Sequence, residues 1–147
     1  MDNQLELSAA VQRGNVARIR HLCGRGKAPL AQQDRGYTHL HRASFLGSAR
    51  VVEVLIEHGA DVNADIQGLT PLHIAAYWGH ADVAQILVEA GADPEARDLK
   101  YGATPLHKAA AQGNIEVLEL LVEQQAHIDA QDEAFGATAL HKAARKG

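Results

Sequence analysis

A ten-residue string, Thr70-Pro71-Leu72-His73-Ile74-Ala75-Ala76-Tyr77-Trp78-Gly79, returns along the chain and fixes what it can fold into. Its nearest copy is Thr104-Pro105-Leu106-His107-Lys108-Ala109-Ala110-Ala111-Gln112-Gly113, and Thr38-His39-Leu40-His41 and Thr138-Ala139-Leu140-His141 open two more. The threonines stand 32, 34 and 34 residues apart. Within each copy, Thr before Pro reads as a helix start. The hydroxyl accepts from a first-turn N–H, and Pro sits where no intrahelical donor is needed. Gly79 reads as the stop, because a residue without Cβ takes the left-handed conformation that ends a helix. A second helical pattern follows, with Val83, Ala84, Ile86, Leu87 and Val88 on one stripe before Gly91. Helices shorter than about 12–15 residues do not persist alone, so each helix pair must be held by its neighbours.

A period of about 33 residues with a T-P-L-H-x-A signature resembles the ankyrin repeat, over nearly the whole chain. The resemblance implies an all-α solenoid of stacked helix-turn-helix units with β-turn fingers. On that frame residues 1–33 form an N-terminal capping repeat, 34–64 repeat two, 65–97 repeat three, 98–131 repeat four and 132–147 a partial repeat five. The first unit lacks the Thr-Pro start, and Leu7-Ser8-Ala9-Ala10 takes the place of Leu-His-x-Ala. It also has Arg18 and His21 where internal repeats keep apolar residues, as an end repeat can.

Three departures from the pattern stand out, and Gln125 is the expected weak point. His39 replaces the expected Pro, which predicts a slightly weaker helix start. Gln125 replaces the Gly that ends helix two in the preceding units (Gly59, Gly91), at a cost of roughly 1–2 kcal/mol if its backbone is left-handed. Repeat five stops after one helix, which reads as the N-terminal part of a longer protein, or alternatively as an abbreviated cap.

Composition narrows the function classes. With 147 residues, 46% of them hydrophobic, the chain has material for a continuous core, and no run approaches the 18 or so apolar residues of a membrane span. Met1-Asp2-Asn3-Gln4 does not open a secretory signal, and Cys23 alone makes no disulfide framework, so cytoplasm or nucleus is the expected location. Residues 1–50 hold eight Lys/Arg against three Asp/Glu, a net +5, and residues 51–147 hold six against fifteen, a net −9. The acidic larger part argues against nucleic acid as the main ligand.

No catalytic constellation, cofactor motif or metal site emerges. Of nine histidines, His41, His73, His107 and His141 recur once per repeat and cannot converge on one ion. The resemblance implies that they tie neighbouring turns together by hydrogen bonds. Cys23 aligns with Ile56, Val88 and Val122 and reads as a small core residue, and no glycine cluster forms a phosphate loop.

The aromatics carry the functional signal. Tyr37, Tyr101 and Phe135 lie beside finger glycines (Gly36, Gly102, Gly136), and Phe45, Tyr77 and Trp78 lie at the end of helix one. In ankyrin proteins these places line a concave recognition groove, so the resemblance implies partner binding through Tyr37, Phe45, Tyr77, Trp78, Tyr101 and Phe135. Leu46, Ile66, Leu69 and Leu99 would extend that patch. The alternative is that these rings only cover the turns of adjacent repeats.

The expected ligand is a protein or peptide segment with apolar or aromatic side chains, its basic residues meeting Asp65, Asp98, Asp132 and Glu133. The chain then reads as a non-enzymatic, monomeric interaction module, with self-association at the open C-terminal repeat as a further option. The rival is a substrate-recruiting domain of a larger enzyme such as a ubiquitin ligase, kinase or hydrolase. By resemblance alone, Asp61-Val62-Asn63-Ala64 looks like the sequence hydroxylated on Asn in many ankyrin proteins by an iron- and oxoglutarate-dependent dioxygenase. The plain alternative is that Asn63 simply forms the turn.

Overall fold

The computed structural model describes residues 3–25, 30, 37–124, 126–133 and 136–146. Gly36, Gln125 and Phe135 lie outside the described residues. Two helices of one unit come first, α1 (Asn3–Gln12) and α2 (Val16–Gly24). The pairs α3 (His39–Leu46) with α4 (Ala49–Glu57), α5 (Pro71–Trp78) with α6 (Ala81–Glu89), and α7 (Pro105–Gln112) with α8 (Ile115–Glu123) follow, then α9 (Ala139–Lys146). Among the described residues the remaining secondary structure is one isolated bridge, Ile66 to Leu69.

Odd-numbered helices pack on one another in one layer and even-numbered helices in a second. The core runs unbroken between the layers. Helix one of each unit contributes small and medium residues (Leu40 and Ala43; Leu72, Ala75 and Ala76; Leu106, Ala109 and Ala110), and helix two contributes larger ones such as Val52, Leu55, Val83, Leu87, Val117 and Leu121. Alanine at the packed face of helix one lets successive helices approach closely. Arg18 and His21, where other units carry core residues, are exposed, while Ile19 and Leu22 hold α2 to the core.

The helix ends follow from the repeated string. Gly47, Gly79 and Gly113 cap α3, α5 and α7 in the left-handed region, with φ of 69°, 75° and 73°. The next residue then bonds back across the cap (Ser48 N–H to the Ala43 carbonyl, 3.1 Å; His80 to Ala75, 3.0 Å; Asn114 to Ala109, 3.0 Å), which satisfies carbonyls the helix leaves open.

The fingers are tightest at Ile66-Gln67-Gly68-Leu69. Ile66 and Leu69 exchange both backbone hydrogen bonds (3.1 and 2.9 Å), and the two residues between them have positive φ, 51° and 77°, as a two-residue hairpin turn requires. The next finger lies directly against this turn, with Leu99 N–H donating to the Gln67 carbonyl at 2.7 Å. A Cβ on Gly68 would stand 2.2 Å from the Arg97 carbonyl oxygen.

Each unit is joined to the next through its motif histidine. The Thr N–H donates to Nδ1 of the histidine three residues on, at 3.2 Å for Thr38–His41, 3.1 Å for Thr70–His73 and 3.2 Å for Thr104–His107. Nδ1 is therefore the acceptor, and the ring proton is on Nε2. From there it goes to a carbonyl of the following finger: Leu69 at 3.0 Å, Ala103 at 2.9 Å and Ala137 at 2.9 Å. Among the described residues, then, these histidines tie repeats together as the resemblance implies.

The first junction is built differently. Ser8 stands in the motif-histidine place and donates to the Gln4 carbonyl of its own helix at 2.8 Å. The gap is filled from the other side by His39, fully buried, with Nε2 at 3.5 Å from Ser8 Oγ. Helix α3 begins with the same capping box as α5, without the Pro at its first position. What His39 introduces is a buried ring whose Nδ1 has no hydrogen-bond partner among the described residues.

Burial pushes His39 and His73 from their ordinary 6.5 down to about 4, although carbonyl hydrogen bonds oppose the shift. Burial also lowers His41 and His107. A histidine whose folded-state pKa lies below its unfolded value binds its proton more readily when unfolded. Its stabilisation is thus complete above 6.5 and is lost as pH falls from 6.5 toward 4.

Two outcomes are expected. The urea midpoint falls over that pH window, and His39→Pro, which restores the residue found at 71 and 105, makes the fall shallower by close to one proton; an unchanged slope would show that His39 does not titrate on unfolding. Gly68→Ala lowers stability by at least about 2 kcal/mol, from left-handed strain together with the Arg97 clash, and a variant melting within error of wild type would refute that account.

Candidate functional site

The face of the odd-numbered helices turned away from the core encloses a concave cavity of about 850 Å³. Helix spacing builds it. On α3, Arg42 and Phe45 lie one turn apart, and on α5, Ile74, Tyr77 and Trp78 share the matching face, opposite the buried Leu72, Ala75 and Ala76. Helix α1 adds Ser8, Ala9 and Gln12, and α7 adds Lys108. Tyr37 and Leu69, just before Thr38 and Thr70, close the finger side.

The rings form a cluster. Phe45 and Trp78 meet edge to face, with centroids 5.1 Å apart at 86°, and Tyr77 packs on Trp78 at 5.4 Å and 75°. Tyr37 meets the His41 ring edge-on at 5.6 Å. These aromatics remain 41–52% exposed. The ends of the helices that present them are tied to the next unit: His80 Nε2 donates to the Phe45 carbonyl at 3.1 Å, and Asn114 Nδ2 donates to the carbonyls of Ala76 and Tyr77 at 2.8 and 2.9 Å.

Of the residues expected to bind a partner, the cavity brings together Tyr37, Phe45, Leu69, Tyr77 and Trp78. Leu46 and Ile66 are half-buried and Leu99 is exposed; none of these three lines it. Tyr101 also lies off the cavity, under Lys100 and Lys108, whose ammonium nitrogens stand 4.8 and 5.6 Å from its centroid. Gln12, Arg42, Ile74 and Lys108 were not anticipated. A usable signal existed, since Ala9, Arg42, Ile74, Lys108 and Lys142 all follow the motif histidine or its equivalent and therefore share one helix face.

The charges differ from expectation. Asp98 and Asp132 are buried and do not wait for a basic ligand, because Lys108 pairs with Asp98 and Lys142 with Asp132 at 2.6 Å. Burial alone would raise the Asp98 carboxyl, but Lys108 and the backbone N–H groups of Tyr101 and Ala103 together hold it below the usual carboxylate range. Asp65 accepts from the Gly68 N–H at 2.8 Å and so closes its own turn, and Glu133 lies against Gly102. The sequence spacing hid these pairs because each lysine lies ten residues after its aspartate, across the finger.

Asn63 is exposed, yet both ends of its amide are engaged, Oδ1 accepting from Asp93 N–H at 2.7 Å and Nδ2 donating to the Gly91 carbonyl at 3.1 Å. Cys23 is half-buried against the core, and its thiol is pushed up by burial, the opposite of nucleophile activation. Among the described residues no three His, Cys, Asp or Glu side chains gather as metal ligands, and no helix is long and apolar enough to cross a membrane.

Relatives similar over part of the chain include the following two. The 2-5A-dependent ribonuclease of Mus musculus is 37% identical over 62 residues, 42% of this chain and 8% of that protein. Ankyrin repeat domain-containing protein 39 of Homo sapiens is 35% identical over 64 residues, 44% of this chain and 35% of that protein. The chain thus covers well under two thirds of either relative. A family model described as ankyrin repeats (3 copies) matches residues 7–98, and one described as ankyrin repeats (many copies) matches residues 82–122 and 106–147. With the histidine-tied stack of helix pairs, these matches establish that the chain belongs to the ankyrin-repeat family.

Proposed function

We propose that the chain is a non-catalytic interaction module that seats a partner protein or peptide in the concave groove. Ankyrin repeats are generally protein–protein interaction modules and generally non-catalytic. The observation that carries the reading is the exposed edge-to-face cluster of Phe45, Tyr77 and Trp78, held from behind by His80 and Asn114. Tyr and Trp give large contact area for little rotamer loss, and a wall fixed before binding spares the protein an ordering cost. The cavity volume lies within the range of about 300–1,000 Å³ typical of ligand sites.

Trp78 is the proposed anchor, with Tyr37, Phe45, Leu69 and Tyr77 around it. Leu46, Ile66, Leu99, Tyr101 and Phe135 are proposed as a periphery that a longer partner would reach. The repeat boundaries 34–64, 65–97 and 98–131, a monomeric state, and action in cytoplasm or nucleus belong to the same proposal. A second reading, in which these repeats recruit substrate for a larger enzyme, is favoured by the 2-5A-dependent ribonuclease, of which the match spans 8%. A catalytic domain in the same polypeptide would select it.

Affinity capture from cell lysate, comparing wild type with Tyr77→Ala/Trp78→Ala verified as folded by circular dichroism, identifies groove ligands as those lost from the variant. For such a ligand Trp78→Ala weakens binding by more than about 1–2 kcal/mol. Unchanged affinity in the folded variant removes Trp78 as the anchor. Asn63 is proposed as a hydroxylation site on the strength of its sequence setting and its exposure. Mass spectrometry of protein from its native cell is expected to find one added oxygen there, and unmodified Asn63 throughout would end the idea.

A further inference from the structure

We infer that the segment this groove takes is acidic: a linear peptide of a partner protein that lays an apolar or aromatic side chain on Phe45, Tyr77 and Trp78 and sets an Asp or Glu carboxylate on Arg42. The inference rests on the groove reading and adds the charge and spacing of the ligand.

It follows from the charges around the cavity. Two cations line it, Arg42 and Lys108. Lys108 is spent on the buried Asp98. Arg42 is exposed, and among the described residues it has no carboxylate partner; its Nε and one terminal nitrogen both donate to the neutral Gln12 Oε1, the Nε bond being 2.8 Å. The same guanidinium stands 5.9 Å from the Phe45 centroid. It is thus held in place from two sides while its charge is uncompensated and its second terminal nitrogen makes no hydrogen bond within the described protein. A guanidinium so placed matches a carboxylate, with hydrogen bonds that are charge-assisted.

Two of the four finger carboxylates expected to favour a basic ligand are withdrawn, since Asp98 and Asp132 are buried and paired; Asp65 and Glu133 are exposed but do not line the cavity. The charge around the groove is divided: residues 1–50, which contribute α1 and α3, carry eight Lys/Arg against three Asp/Glu, and residues 51–147, which contribute α5 and α7, carry six against fifteen, so the pull on an acidic segment is local to the Arg42 side.

Geometry sets the spacing. Arg42 and Phe45 are three residues apart on α3, a separation along the helix of about 4.5 Å at about 1.5 Å per residue. The Trp78 ring centroid lies 5.1 Å from that of Phe45, and the Arg42 guanidinium 5.9 Å from the Phe45 centroid. An extended peptide advances about 3.3 Å per residue and returns a side chain to the same face every second residue. The carboxylate and the apolar anchor therefore belong within about two residues of each other.

The test is to pan a random-peptide phage library on the purified chain and on three folded variants, Arg42→Gln, Trp78→Ala and Tyr77→Ala/Trp78→Ala. The expected wild-type consensus places Asp or Glu within two residues of an aromatic or aliphatic residue. The corresponding synthetic peptide, titrated by fluorescence polarisation, weakens as NaCl is raised, loses at least about tenfold in affinity for Arg42→Gln, and loses its affinity for Trp78→Ala.

A neutral or basic consensus that binds Arg42→Gln as well as wild type but is lost with Trp78→Ala overturns the acidic ligand and leaves the groove. Selected peptides that bind Trp78→Ala undiminished overturn the groove as the site. Failure to enrich any peptide over the double variant overturns both.

Discussion

The structure depends on a neutral imidazole. Each motif histidine receives a Thr N–H on Nδ1 and gives its Nε2 proton to a carbonyl of the next finger, so one ring closes the start of its own helix and also fixes the position of the following unit. Only the uncharged tautomer does both, because a protonated ring would set two N–H groups against each other at Nδ1. Burial supplies the condition that keeps the ring neutral, and the burial exists only because the repeats are stacked. Local capping and long-range order are therefore one event, which is how helices of eight to ten residues persist at all.

From that stack the groove inherits its shape. Core and groove are opposite faces of the same short helices, so packing that locks Leu72 and Ala75 inward also sets Ile74 and Trp78 outward. The register between units is then fixed three times over, by the motif histidines, by the Asn63 and Glu95 side chains that accept from Asp93 and His127 N–H groups, and by His80 and Asn114 at the ends of α3 and α5. The aromatic cluster spans two units, Phe45 on one and Trp78 on the next, and holds its edge-to-face geometry because the register does.

Helix starts, helix stops, core stripes and the inter-repeat role of the histidines were legible in the sequence because each is written in local spacing and repeated. The positions of Tyr37, Phe45, Tyr77 and Trp78 on the groove face were legible as residues standing where the repeat is otherwise variable, whereas Tyr101 lies off the cavity. What the sequence hid lies between units. The exchange of Ser8 and His39 is invisible until the two residues, 31 positions apart, are seen in contact. The pairing of Lys108 with Asp98 reverses the charge a ligand should carry, and it depends on how the finger folds back over its own helix. The need for glycine at 68 comes from the Arg97 carbonyl, 29 positions on at the end of the same repeat.

The first junction gives the groove a seam. Where later units are joined by a two-ended histidine bridge, α1 meets α3 through apolar packing, the 3.5 Å contact between Ser8 and His39, a hydrogen bond of His39 to the Gln4 backbone and the bond from Arg42 to Gln12. In a linear array each unit answers only to its neighbours, so the cooperative hold on α1 is set at this one boundary. Yet α1 supplies Gln12, whose carbonyl oxygen holds the Arg42 guanidinium. The terminal unit thus lines the groove as well as covering the core, and a ligand spanning α1 and α3 would act as a fastener across the seam, drawing part of its affinity from the unit it keeps docked.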